Sequence, residues 1–199
     1  AGDSGQDSEI RLRALNQLPA SQRLGVEGTR EFVFSQLEVN NKVTNRSLAV
    51  EFLQGTPLTS DDLISLTKQL PETGPLELRP ILAVYSKSKD QAVGRELVSS
   101  LLKSPAATSL FPDQIQSVVD GYGAETAEQA VPLLKRIAEE NSSRIEKLQE
   151  VLALVPKADI RRGLKVFQSE KASCLACHQR GYIGGRIGPG LNNIGRVRS

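Results

Sequence analysis

Both cysteines and the single histidine of this 199-residue chain fall within five positions, Cys174-Leu175-Ala176-Cys177-His178. Two thiols at this spacing add to the two vinyl groups of an iron porphyrin as thioethers, and an imidazole directly after the second thiol binds the metal. This is the spacing of covalent haem c attachment, a tether that holds the cofactor even where protein covers only part of it. Other chemistries use the same residue types. A C-x-x-C pair closes as a redox disulfide in thioredoxin-like proteins, but there it sits in a βαβ context. Here a basic amphipathic stretch precedes the pair and a Gly-rich loop follows it. A structural zinc site needs four ligands, and the chain has three Cys and His groups in all. A chance match is the remaining alternative. The flanks weigh for haem.

Downstream, six glycines fall between Gly181 and Gly195, so a loop is expected there, not a helix or a strand. A loop packed against a flat macrocycle needs backbone without Cβ at several points. The segment resembles class I cytochromes c, whose attachment site is followed by a Gly-rich loop and a Gly-Pro-x-Leu motif. Gly188-Pro189-Gly190-Leu191 matches that motif at nearly the family spacing. The resemblance implies that the Pro189 carbonyl accepts a hydrogen bond from the second ring nitrogen of His178, which fixes the tautomer and raises the basicity of a ligating histidine. It also implies that Leu191 packs on the haem and that Arg196 approaches a propionate. An ordinary turn with a core anchor is the other reading of Pro189 and Leu191. Upstream, Asp159 to Phe167 reads as a short helix with Ile160, Leu164 and Phe167 on one stripe. Gly163 and Phe167 have the spacing at which a C-terminal helix crosses the first helix of class I cytochromes. The stretch from Phe167 to Cys174 looks longer than in the smallest cytochromes c, and an inserted turn is expected there.

Methionine is absent and His178 is the only imidazole, so neither the usual distal thioether nor bis-His coordination comes from this chain. The sequence also stops at Ser199, before the later helices of a cytochrome fold. It reads as a fragment of a longer protein, with a split haem site or a finished protein with five-coordinate iron as alternatives. Five-coordinate iron would favour small-ligand binding or peroxidase-like chemistry. The whole arrangement resembles large extracytoplasmic haem-binding proteins in which a dehydrogenase-like propeller and a helical-repeat region precede a C-terminal cytochrome c module. The family implies an extracytoplasmic setting and a redox partner protein or dehydrogenase domain as electron donor. The start, Ala1 to Asp7, is no signal peptide and reads as a processed, disordered terminus. No apolar run approaches the ~20 residues of a membrane span.

The elements that must carry this site are helical. Stripes recur between short Pro, Gly, Ser and Asp punctuation: Phe32, Val33 and Leu37 after Thr29; Leu48, Val50, Phe52 and Leu53 after Asn45; Leu63, Leu66 and Leu70 after the Thr59-Ser60-Asp61-Asp62 start. Ile81, Val84 and Tyr85 follow Pro80, Val93, Leu97 and Leu101 follow Asp90, and Ile115, Val118, Val119 and Tyr122 follow Pro112. Val131, Leu134, Ile137 and Ala138 mark a further helix, which Pro132 should kink or open. Ser143-Arg144-Ile145-Glu146 reads as a capping box, opening a last helix with Ile145, Leu148, Val151, Leu152 and Val155 inward. Paired, these helices make units of about thirty residues, near the range of helical repeats. No alternating pattern argues for a sheet. The expected fold class is all-α: a HEAT-like α-solenoid or irregular helical bundle, followed by the N-terminal part of a cytochrome c fold. The expected organisation is a disordered terminus over 1–8, a helical-repeat-like region over 9–156 and a partial haem-binding domain over 157–199.

Charge divides near the same seam. Residues 1–156 carry 16 Lys and Arg against 21 Asp and Glu, a net of −5, and residues 157–199 carry 9 against 2, a net of +7. Arg180, Arg186, Arg196 and Arg198 suit haem propionates and the steering of an acidic redox partner. Nucleic acid fits poorly, since a Gly-rich loop with one tyrosine offers no stacking platform. Residues 1–156 hold no catalytic constellation: the adjacent carboxylates Asp61-Asp62 and Glu139-Glu140 point apart on a helix and read as caps or solvated faces. The expected function is covalent haem c binding and one-electron transfer within a larger redox protein. An open-site haem protein and a haem-free helical scaffold are the alternatives.

Overall fold

A computed structural model describes residues 7–197. The fold is all-α, and among the described residues extended pairing is limited to the isolated bridges Glu38–Thr73 and Arg180–Ile183. The helices are α1 Ser8–Asn16, α2 Thr29–Ser35, α3 Val43–Gln54, α4 Ser60–Thr67, α5 Pro75–Tyr85, α6 Gln91–Lys103, α7 Pro112–Val119, α8 Ala124–Leu154, α9 Ile160–Gln168, α10 Cys174–Cys177 and α11 Ile194–Val197. The chain divides into two compact units, Ala1–Arg144 and Ile145–Ser199. The division falls inside α8, twelve residues before the charge seam at 157. Of the terminus expected to be disordered, residues 1–6 lie outside the described part. Asp7 and Ser8 are helical in role: the Asp7 carboxylate caps α1 by accepting from the Glu9 amide at 2.8 Å, and Ser8 opens it.

In the first unit helices pack on their next-but-one neighbours, α1 on α3, α3 on α5 and α5 on α7 in one series and α4 on α6 in the other, while α2 packs on the adjacent α3. This is how helix pairs stack when no single pair can bury its own apolar face. The stripes meet between the two series, where Val33, Leu37, Phe52, Leu66, Ile81, Tyr85, Leu97, Leu101 and Ile115 are fully buried. Thr59 caps α4 reciprocally with Asp62, whose carboxylate also pairs with Arg30 at 2.5 Å. Burial raises the Asp62 carboxyl, but the Thr59 bonds and the Arg30 charge lower it further, so it stays below the ordinary carboxylate range. An arginine closes the end of α6. Arg136 donates to the carbonyls of Leu101, Leu102 and Ser104 at the end of α6, at 2.8–3.2 Å, satisfying groups that a helix terminus leaves unpaired.

Tyr85 and Tyr122 link successive layers. The Tyr85 hydroxyl donates to the Leu63 carbonyl at 3.1 Å, and the Tyr122 hydroxyl donates to the Tyr85 carbonyl at 2.5 Å. Gly94 makes room for this, because a Cβ there would stand 2.6 Å from Cγ of Tyr122. Burial pushes the Tyr122 phenol up to about 12 and raises Tyr85 well beyond its ordinary value. A phenol raised on folding stabilises fully below its unfolded pKa of about 10 and loses that contribution as pH climbs toward the folded value. Urea unfolding of the helical unit should therefore weaken steadily above about pH 10. Tyr122→Phe should flatten that decline while lowering stability at neutral pH, and an unchanged alkaline limb in the variant would remove Tyr122 as its cause.

Two helical expectations are corrected. The Ser143 capping box does not open a helix; α8 runs through it, and Pro132 lies inside the helix as well. The i,i+4 pair of Arg144 with Glu140, at 3.3 Å, bridges the expected break, and no glycine or proline stands there to stop the helix. The apolar stripe beyond it does not face a core: Ile145 is 60% and Leu152 48% exposed, and Leu148, Val151 and Val155 are also exposed. Val131 and Ala138 are exposed too, whereas Ile137 is buried. Among the residues whose burial is described, Ile137 is the last buried one along the chain.

Candidate functional site

The cysteine pair sits on α10, a single turn entered from Ser173 in the left-handed region, φ 53°. Cys174 and Cys177 are its first and last residues, so the i,i+3 spacing places both thiols on one side. Both are free thiols and half-buried. A turn precedes α10: α9 ends at Gln168, and the Ser173 amide donates to the Ser169 carbonyl at 3.1 Å.

The Gly-rich segment folds back over α10 and satisfies its carbonyls. The Gly185 amide donates to Leu175, the Gly188 amide to Cys177 and the Leu191 amide to Gln179, each at 2.8 Å. Side chains would prevent this approach. Gly184, at φ +109°, lies against the His178 carbonyl, and a Cβ on Gly188 would stand 2.6 Å from Cε1 of the His178 imidazole. Asn192 adds a clasp across the loop, its Oδ1 accepting from the Gly181 amide at 2.6 Å. The segment is loop except at its end, where α11 forms one helical turn that includes Gly195.

His178 leaves α10 in extended backbone, and its Nδ1 lies 2.9 Å from the Pro189 carbonyl oxygen. A carbonyl only accepts, so Nδ1 carries the proton. The neutral ring then keeps its lone pair on Nε2, the tautomer of a histidine that binds metal through that nitrogen. Backbone bonds thus hold the loop that carries Pro189 against the turn that carries Cys174, Cys177 and His178. Leu191 is half-buried beside Gln179, and Arg196 is exposed on α11. Arg198 lies outside the described residues. Asn192 and Gln179 hold the loop without having been singled out from the sequence; an amide between glycines carries no periodic signal.

Among the described residues no three His, Cys, Asp or Glu side chains group as a metal site, and Cys174, Cys177 and His178 do not form one. No described helix is long and apolar enough to cross a membrane. No known protein family, curated protein or solved structure matches the chain.

Proposed function

We propose that residues 157–199 form a covalent haem c site and that the protein passes single electrons through it. The observation that carries this reading is the His178 imidazole, held with Nδ1–H on the Pro189 carbonyl at 2.9 Å and Nε2 uncommitted, directly after two free thiols on one helical turn. A second observation supports the fit. Among the residues of 145–197 whose burial is described, none is buried, although Leu164, Phe167, Leu175 and Leu191 cluster in sequence around the thiols. A unit with a tightly bonded loop and no core of its own suits one that folds around a large apolar cofactor. Gly163 also has open space where a Cβ would point, which suits a crossing helix of the kind class I cytochromes place there.

In this reading Cys174 and Cys177 are the covalent anchors. Each S–H adds across a vinyl double bond, forming a C–S bond and placing its hydrogen on the neighbouring carbon. Nε2 of His178 is the proximal ligand, and the Pro189 carbonyl holds the proton on Nδ1 and keeps the ring oriented. Leu191 covers the macrocycle and Arg196 offsets propionate charge. The bound group supplies a ferric/ferrous couple, tuned by axial ligation and exposure. The exposed cations of α9, Arg161, Arg162 and Lys165, favour approach of an acidic redox partner. The setting is extracytoplasmic, the first unit is a HEAT-like spacer or dock, and any dehydrogenase chemistry belongs to another part of a larger protein.

The direct test is the intact mass of protein made in cells with haem-attachment machinery. It should exceed the bare polypeptide by one haem, and the denatured band should stain for haem peroxidase activity. A mass equal to the polypeptide with both thiols free would end this reading.

A further inference from the structure

We infer that the loop tip Arg180–Ile183 is an attachment point for an anionic phospholipid surface. Tyr182 is 102% exposed and Ile183 63% exposed, so the ring projects as freely as in an extended peptide. The turn that presents them is closed by hydrogen bonds. The Arg180 amide donates to the Ile183 carbonyl at 2.9 Å, the Ile183 amide returns a bond at 3.2 Å, and Asn192 fastens the Gly181 amide from below at 2.6 Å. Fixing a fully exposed aromatic in this way gives no packing in return within the described residues. Preorganised projection does reduce the ordering cost of inserting it elsewhere.

Charge selects the surface. Arg180, within the tip, and Arg186, three residues beyond it, are exposed, in a segment with 9 Lys and Arg against 2 Asp and Glu. Guanidinium groups bind phosphate oxygens bidentately, while tyrosine prefers the headgroup level, where its ring is sheltered and its hydroxyl stays wet. The tip is convex. A protein partner would have to supply a matching pocket, whereas a lipid headgroup layer accepts a protruding Tyr-Ile pair without shape complementarity. The combination of basic residues with an inserted aromatic is that of proteins which lie on a membrane without spanning it.

Vesicle cosedimentation of the full chain tests it. The protein should sediment with vesicles of phosphatidylcholine containing phosphatidylglycerol, remain in solution with phosphatidylcholine alone, and dissociate as salt is raised. Tyr182→Ala should weaken binding about tenfold, Tyr182→Phe should largely preserve it, and Arg180→Gln or Arg186→Gln should each weaken it about fivefold. All four substitutions lie on exposed side chains, and unchanged circular dichroism checks the fold. Absence of binding to the anionic vesicles, or binding that Tyr182→Ala leaves intact, would overturn the inference. Retention on immobilised polyglutamate that is lost in Tyr182→Ala, at a salt concentration where vesicles do not bind, would assign the tip to an acidic protein instead.

Discussion

Cys174→Ser/Cys177→Ser, made alongside haem-attachment machinery, should emerge with the mass of the bare polypeptide while the parent chain carries one haem. The effect is all or none because serine hydroxyls do not add to vinyl groups as thiols do. Each single substitution should keep one thioether and therefore retain haem in a denaturing gel at lower yield. His178→Ala should separate anchoring from ligation: mass unchanged, but the reduced spectrum altered because iron loses its proximal imidazole. Gly188→Val tests the loop by a different route. Its Cβ would meet the imidazole at 2.6 Å from Cε1, so the ring must move and the 2.9 Å bond to Pro189 must lengthen or break. Loss of such an outer partner typically costs about 10–100-fold in metal affinity or activity. A Gly188→Val protein with parental mass, spectrum and midpoint potential would remove the loop from any role in orienting His178. Haem carried by the double serine variant would remove the cysteines as covalent anchors.

The helical unit was largely readable in advance because its stripes are physical requirements. Leu63, Leu66 and Leu70, or Val93, Leu97 and Leu101, recur at the spacing of one helix face, and each is buried. The same reasoning fails at Ile145, Leu148, Leu152 and Val155. Periodicity says which residues share a face and is silent on whether anything covers it, and here nothing among the described residues does. The Ser143 box failed for a related reason. A capping motif is local, and the pair Arg144–Glu140 together with good helix formers on both sides keeps the helix continuous. Helix α1 falls in the expected helical region over 9–156, but no stripe marks it out there. Leu12 and Leu15 are its only buried residues, too few for a stripe to stand out from the charged residues around them. In the candidate site, the order and spacing of the five residues from Cys174 to His178 mark them out in the sequence. The clasp from Asn192 to Gly181 and the carbonyl bonds from Gly185 and Gly188 join positions up to eleven apart in a loop with no period. Such contacts depend on the path of the backbone, which single-residue types do not encode.

Arg46→Met should lower the stability of the helical unit by about 3–5 kcal/mol in urea unfolding, the usual cost of stranding one member of a buried ion pair. Arg46 and Glu77 lie on α3 and α5 with side chains only 10% and 4% exposed, and Nε of Arg46 donates to Oε1 of Glu77 at 2.9 Å. The guanidinium also donates through Nη1 to the carbonyls of Val39 and Asn41, at 2.7 and 2.8 Å. One side chain therefore ties two helices and the connection between α2 and α3. Glu77→Leu should cost a similar amount, because it leaves the guanidinium buried with no counter-charge. The double variant Arg46→Met/Glu77→Leu distinguishes a buried charge effect from simple loss of packing. With both charges gone, the desolvation penalty disappears as well, and much of the loss should be recovered. Recovery should stop short by about 1–3 kcal/mol, because the Val39 and Asn41 carbonyls lose their donor. The double-mutant cycle thus measures the coupling directly. Strictly additive single effects would show that Arg46 and Glu77 act independently, leaving the carbonyl bonds of Arg46 as its whole contribution.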